Sequence, residues 1–217
     1  MAEFAVIGLG AFGRTVALEL TRQGQSVLAI DCDDDAVQAI SAEIDAAIAA
    51  DATDEAALGE LDLARMTCAV VAIGMESTES SILATALLRQ MGVPRIVARA
   101  VSPLHARVLH TVGAHEVINP EESMGRRLAG RLAYPTIFER LELGDRAELA
   151  EIAVPETLVG KDLVELDLRR EHGISALAIR RGPQLEATLT GREKLESGDI
   201  LVVIGSPEAI AKFAELA

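Results

Sequence analysis

Aromatic side chains are scarce in this chain: they make up 2% of its 217 residues, Trp is absent and Tyr occurs once. A core without large rings has to be assembled from Ala, Val, Ile and Leu, which suits parallel strands buried on both faces under helices. Positive charge is also short. Lys and Arg number 20 against 34 Asp and Glu, for a formal net charge of -14. Such a surface repels nucleic-acid phosphates and anionic lipid heads, and no basic run or aromatic-interleaved basic patch offsets it. Nucleic-acid binding is therefore not expected, and the acidity reads as solubility. There are 2 cysteines, Cys32 and Cys68, without CxxC or His-paired metal spacing. A disulfide stays open on sequence grounds, while reduced thiols suit a cytosolic protein. No apolar run approaches the roughly 18 residues that suggest a membrane span. The N-terminus has no basic region followed by an apolar signal core. Direct membrane insertion is not expected, so any role at a membrane requires docking onto something already embedded there.

What the chain does have is apolar volume, with 50% hydrophobic residues. Through the first two-thirds, short apolar runs alternate with helical patterns. The strand candidates are Phe4 to Leu9, Ser26 to Asp31, Ala46 to Asp51, Cys68 to Gly74, Arg95 to Ala100 and His115 to Asn119. Their uncharged middles fit strands buried on both faces. Between them lie helical segments such as Phe12 to Arg22 and Ser80 to Met91; in the latter, Leu83, Leu87 and Leu88 share a face. Gly24 and Gly92 sit where helix ends need a left-handed residue. The alternation predicts an α/β fold, a Rossmann-like doubly wound parallel sheet with right-handed crossovers.

After about Gly125 the rhythm changes. A helix broken near Pro135 leads into an extended segment. AELAEIAVP reads as a strand, LVELDLRREHG as a short helix closed by Gly173, and ISALAIRRG with QLEATLT as a hairpin. ESGDILVVIGS leads into a buried strand and PEAIAKFAEL forms a terminal helix. This is a small α+β C-terminal domain. The expected division is 1–137, a nucleotide-binding domain with a connector helix, and 138–217, the C-terminal domain.

Gly8, Gly10 and Gly13 form G-x-G-x-x-G between a strand and a helix. Gly8 permits the tight turn, Gly10 lets the backbone approach phosphate oxygens, and Gly13 lets helix and strand pack closely. The helix N-terminus then offers free amides and a positive dipole end to an anion. Asp31 ends the second strand near the offset of about 20 residues at which a carboxylate accepts from ribose hydroxyls. The acidic stretch DCDDD (Asp31 to Asp35) repels a 2'-phosphate, which disfavours NADP. Asp51, after the third strand, either accepts from an adenine amino group or caps the next helix. Ala72 to Gly74 would let a nucleotide lie against the backbone.

No catalytic set stands out. His172 sits at a helix end, where the dipole favours it. The spacing of His105 and His110 is poor for one face, which points to surface positions. Tyr134 has no lysine four residues on, Ser123 and Ser206 lack a G-x-S-x-G elbow, and Cys68 lies in a buried run. The chain is expected not to be an enzyme. A small NAD-dependent oxidoreductase is the alternative, and a redox-sensing repressor a third reading that the absence of a basic recognition helix disfavours.

In order along the chain, FAVIGLGAFG, LAID, ADAT, VVAIG, NPEESMG and SGDILVVIGSPEAIAKF resemble the cytosolic regulatory subunits of Ktr and Trk potassium uptake systems. These join an N-terminal RCK domain (TrkA-N) to a smaller TrkA-C domain, and the resemblance covers nearly the whole chain. It implies a cytoplasmic, non-enzymatic subunit, peripheral at the inner face of the cell membrane. Its partner would be a membrane-embedded potassium translocating subunit. Its own copies would pair and assemble into an octameric ring that ATP expands and ADP inactivates; some members bind NAD or NADH. By motif, Gly8, Leu9, Gly10, Ala11, Phe12 and Gly13 would hold phosphates. Asp31, Cys32 and Asp33 would lie at the ribose, Asp51, Ala52 and Thr53 at adenine, and Ala72, Ile73 and Gly74 along the nucleotide. Arg99 matches a basic position reaching toward phosphates, and Glu121 an acid that helps hold a divalent cation, Mg or Ca. Ala11 departs from the ATP-responsive members, which carry arginine there; Arg14 is the nearest substitute but reads first as an exposed helix residue. Some C-terminal modules bind cyclic di-AMP. Arg169 and Ile174 lie in that region here, with Thr190 and Gly191 where several binders have proline.

Overall fold

Each of the six apolar runs becomes a parallel strand in the computed structural model, which describes residues 3–74, 77–144 and 146–216. The chain divides into two compact units, Met1–Glu122 and Ser123–Ala217. In the first, the strands are β1 (Glu3–Ile7), β2 (Ser26–Asp31), β3 (Ala46–Ala49), β4 (Cys68–Val71), β5 (Ile96–Arg99) and β6 (Glu116–Ile118). The helices are α1 (Ala11–Arg22), α2 (Asp34–Ile40), α3 (Glu55–Gly59), α4 (Thr78–Gln90) and α5 (Pro103–Val112). The sheet order is β3-β2-β1-β4-β5-β6, so the winding reverses between β1 and β4.

Alternate residues of the strands feed two separate cores. Ile7, Ile30 and Val71 pack with Leu58, Leu88 and Leu109 on one face. Val6, Ala29 and Val70 pack with Ala17 and Ile40 on the other. That double burial is why these strands read as continuous apolar runs. Several strands are shorter than their runs: Leu9, Ala50 to Asp51, and Ala72 to Gly74 leave the ladder at its carboxyl ends and become the loops of the site.

Two expectations need correction. Leu83 does not share the buried face of Leu88; it is 44% exposed, whereas the small Ala84 and Thr85 face inward. His105 is buried rather than superficial. Ser102 caps α5 by accepting the His105 N–H, which turns this first-turn side chain inward, and its Nδ1 lies 3.4 Å from the Val101 N–H. Burial pushes the His105 pKa below its ordinary value.

Helix α6 (Pro120–Ala133) begins in the first unit and runs on into the second. The second unit contains β7 (Ile137–Glu142), β8 (Glu148–Ala153), α7 (Leu163–Leu166), α8 (Leu168–His172), β9 (Ile174–Arg181), β10 (Gln184–Glu186), β11 (Ile200–Gly205) and α9 (Pro207–Ala214). Its antiparallel sheet has the order β10-β9-β11-β8-β7 and buries Ile152, Ile179, Leu201 and Val203 against Ile210 and Phe213. The segment expected as one helix closed by Gly173 is two, α7 and α8, broken at Asp167 in the left-handed region (φ 35°). The hairpin forms, but β10 pairs over three residues only; the Glu186 carboxylate then accepts the Thr188 N–H and turns the chain away. Among the described residues both cysteines are free, and no helix is long and apolar enough to cross a membrane.

Candidate functional site: a cleft at the carboxyl ends of the parallel sheet

The three loop glycines do different physical work. Gly8 has φ +94°, and a Cβ there would meet the Ile73 backbone N at 2.9 Å. A Cβ on Gly13 would lie 1.8 Å from the Gly8 carbonyl oxygen, so only glycine lets α1 start this close to β1. A Cβ on Gly10 would meet no protein atom within 4 Å. The protein itself therefore does not require glycine at position 10, whereas a group approaching the backbone there does.

The anion-attracting end of α1 is left available. Its N-cap is Gly10, without a side-chain cap and without an acid in the first turn. Helices α2, α3 and α5 are instead capped by Asp33, Asp54 and Ser102. An uncapped N-terminus keeps unpaired amides and the positive dipole end for a ligand.

In front of it lies a cavity of about 490 Å³, within the range that holds small ligands. Gly8, Gly10, Asp31, Cys32, Asp51, Ala52, Ala72, Ile73, Gly74 and Arg99, all expected site residues, line it. Asp31 accepts the Leu9 N–H at 2.5 Å and the Asp33 N–H at 2.9 Å, so the acid is pinned to the glycine loop. Asp51 accepts the Thr53 N–H at 2.8 Å and its hydroxyl at 2.7 Å through one oxygen. Those bonds, the backbone one first, hold its pKa below the ordinary carboxylate value. It does not cap α3, which Asp54 does. The Cys32 thiol pKa is pushed up by desolvation and by the neighbouring Asp31 carboxylate.

Arg99 is the one cation among the described lining residues. Its guanidinium lies 6.0 Å from the Phe12 ring centroid, donates to Glu121, and leaves its buried Nε without a partner. Arg14 does not line the cleft; it pairs with Glu43 at 3.6 Å.

The other expected residues support the cleft without lining it. Leu9 and Gly13 are buried below the loop, Asp33 caps α2, Thr53 orients Asp51, and Ala11 is exposed at the first position of α1. Ala50, which opens the ADAT stretch, lines it as well; Ile7, Ile30, Ser77 and Ser80 also line it and were not anticipated. Ser77 and Ser80 come from the start of α4, and no local pattern marks them. Among the described residues no cluster of three or more His, Cys, Asp or Glu could hold a metal by itself. Among the described residues lining the cleft, no histidine or lysine accompanies the carboxylates of Asp31 and Asp51. Its carboxylates are acceptors and its thiol is largely protonated at neutral pH.

In the second unit Ile174 is fully buried in the core, and Arg169 is exposed on α8. Gly191 packs tightly, since a Cβ there would meet Val164 Cγ2 at 2.7 Å. A cavity of about 620 Å³ lies between α6 and strands β7 and β8, with Arg127 bonded to Glu139 and Arg140 3.7 Å from Glu148 along it. Helix α6 buries none of its residues and exposes Met124, Leu128 and Leu132.

Comparison with known proteins places this geometry. Residues 4–120 match the TrkA-N domain and residues 149–217 the TrkA-C domain. The Ktr system potassium uptake protein C of Bacillus subtilis (strain 168) is 37% identical over 211 residues, spanning 97% of this chain and 95% of that one. The Ktr system potassium uptake protein A of Vibrio alginolyticus is 35% identical over 209 residues, spanning 96% and 94%. Among solved structures, the GsuK channel bound to NAD has the same fold, with a TM-score of 0.66 at 18% identity. That match covers 99% of this chain, which spans 39% of the channel's length. The chain belongs to the family of Ktr and Trk potassium uptake proteins, in which a TrkA-N domain is followed by a TrkA-C domain.

Proposed function

We propose that this chain is the nucleotide-sensing regulatory subunit of a potassium uptake system, and that its cleft reads a nucleotide without altering it. One observation carries the ligand reading: Gly10 faces open space at the uncapped start of α1. The amides there receive phosphate oxygens, Asp31 the ribose hydroxyls, and the free oxygen of Asp51 an adenine amino group. The hydrophobic floor made by Ile7, Ile30 and Ala72 supports the flat base.

The ligand is ATP or ADP, or NAD(H). The diphosphate unit common to ADP and NAD is the better match, because Arg99 is the one described lining cation and Ala11 adds none. A divalent cation at Glu121 takes phosphate oxygens as its further ligands, since one carboxylate does not hold it alone. Cyclic di-AMP is a candidate for the C-terminal unit. The names of the potassium uptake relatives support a membrane-embedded potassium translocating partner, and with it a cytoplasmic position at the inner membrane face. The exposed Met124, Leu128 and Leu132 of α6 support self-association into a dimer and a ring. The nucleotide acts by favouring one assembly state over another, which requires different affinity for the two.

Thermal unfolding with ADP, ATP, NAD, NADH and NADP, each with and without magnesium or calcium, tests the reading. Stabilisation by ADP or NAD, with the nucleotide recovered unchanged, is expected. Stabilisation by NADP alone, by none of them, or with turnover of the dinucleotide overturns it. Light scattering that gives a stable monomer overturns the ring.

A further inference from the structure

Arg99 ends β5 and meets two neighbourhoods at once. On one side it lines the cleft beside Gly74. On the other, its Nη2 donates to Oε1 of Glu121 in the first turn of α6. The side chain is 15% exposed, its guanidinium lies against the Phe12 ring, and its buried Nε has no acceptor. A guanidinium presents five N–H donors in one plane, so a carboxylate on one edge leaves donors for a second anion. A buried donor without an acceptor is unfavourable, which draws an anion to this position. Glu121 is the solvent-facing half of the pair, at 60% exposed. On giving up the pair the Glu121 carboxylate regains water, so the loss on its side is small.

We infer that Arg99 couples the cleft to helix α6, because Glu121 and the phosphate of the ligand compete for the same guanidinium. This rests on the nucleotide reading above and adds a regulatory step to it. Helix α6 is the segment by which the chain leaves the first unit, starting at Pro120 and continuing past Glu122. Without a divalent cation, a phosphate that takes over Arg99 releases Glu121, whose carboxylate then keeps only the helix dipole as its partner. The first turn of α6 loosens. Linkage makes the effect reciprocal: whatever strengthens the Arg99–Glu121 pair weakens phosphate binding by the same factor.

The test uses ADP as probe on the full chain, in the absence of divalent cations, with calorimetry for affinity and hydrogen exchange for α6. Glu121→Gln binds ADP about three- to tenfold tighter than wild type, because the competitor is gone. Arg99→Gln binds about tenfold weaker or worse. The double variant matches Arg99→Gln, since Glu121 no longer has a guanidinium to compete for. ADP speeds exchange of the amides at 124–126, which bond back to the carbonyls of the first turn of α6, in wild type and leaves it unmoved in Arg99→Gln at saturation. Arg99→Lys keeps the charge without the planar fork and serves if Arg99→Gln does not fold; it gives an intermediate affinity. A Glu121→Gln effect on affinity that is the same in wild type and in the Arg99→Gln variant overturns the competition. ADP that stabilises wild type but leaves α6 exchange unchanged overturns the coupling while the nucleotide reading stands. Failure of every nucleotide to bind overturns both.

Discussion

The carboxylate of Asp31 accepts the backbone N–H of Leu9 at 2.5 Å, so one side chain both faces the cleft and anchors the loop below it. Its removal should act twice. Asp31→Ala leaves the Leu9 and Asp33 N–H groups without their acceptor, a loss of about 1–3 kcal/mol in urea unfolding. It also weakens ADP or NAD binding about tenfold. Asp31→Asn keeps an acceptor for the loop, and so recovers more stability than affinity.

Gly10 and Gly13 should separate ligand from scaffold. Gly10→Ala leaves unfolding close to wild type, because its Cβ meets nothing, but it lowers nucleotide affinity. Gly13→Ala drives a Cβ into the Gly8 carbonyl and costs roughly 2–3 kcal/mol of stability. Denaturant midpoints and nucleotide titrations on both variants check this. A Gly10→Ala protein that binds ADP as wild type does would remove the phosphate from that loop.

Cys32 reports on the same cleft. Its thiol is exposed, while Cys68 is buried. The pKa of Cys32 is raised above the ordinary thiol value, so its thiolate is scarce at pH 7 and its alkylation accelerates as pH rises. Bound ADP should slow that reaction, and mass spectrometry should find Cys68 unmodified in the native protein. Equal alkylation with and without saturating ADP would place the nucleotide elsewhere.

How much of this was legible in the sequence depends on how local the cause is. Double burial writes itself into a strand as an unbroken apolar run, which is why the inner strands β1, β2, β4 and β5 were readable; the edge strands β3 and β6 are only partly buried and were readable from their place in the strand–helix alternation. The glycine loop was readable because Gly8 and Gly13 answer steric demands made within a few residues or by the adjoining strand, and their spacing brackets Gly10. Ser77 and Ser80 carried no such signal. They reach the cleft only because α4 starts beside it. The Arg99–Glu121 pair joins a strand end to a helix start 22 residues away, a contact set by the β5-to-β6 crossover. His105 misled because helical spacing sees faces and not the cap that orients them. Asp167 misled because no glycine marks the left-handed residue that separates α7 from α8.

In the second unit, Asp199 should prove a fold determinant. It is buried, receives Nε and Nη2 of Arg181 at 2.9 Å each, and accepts the Glu196 N–H at 2.8 Å. The Arg181 hydrogen bonds, foremost, hold its pKa below the ordinary carboxylate value. A depressed folded-state pKa contributes stability that is complete above the unfolded value, about 3.9, and is lost as pH falls through the folded one. Asp199→Ala should cost about 2 kcal/mol at pH 7, because the half-exposed arginine regains water. The gap to wild type should narrow below about pH 4. Chemical unfolding at pH 7 and pH 3 measures both.

The outermost strands bear on how copies of the chain can meet. Strands β3, β6 and β10 are 4, 3 and 3 residues long, and β7, the remaining border, carries Glu139, Arg140 and Glu142. Borders so brief or so charged give a neighbouring backbone little to zip onto. Crowding many copies together should therefore yield assemblies of defined size, held by side chains, instead of fibrils that grow strand by strand.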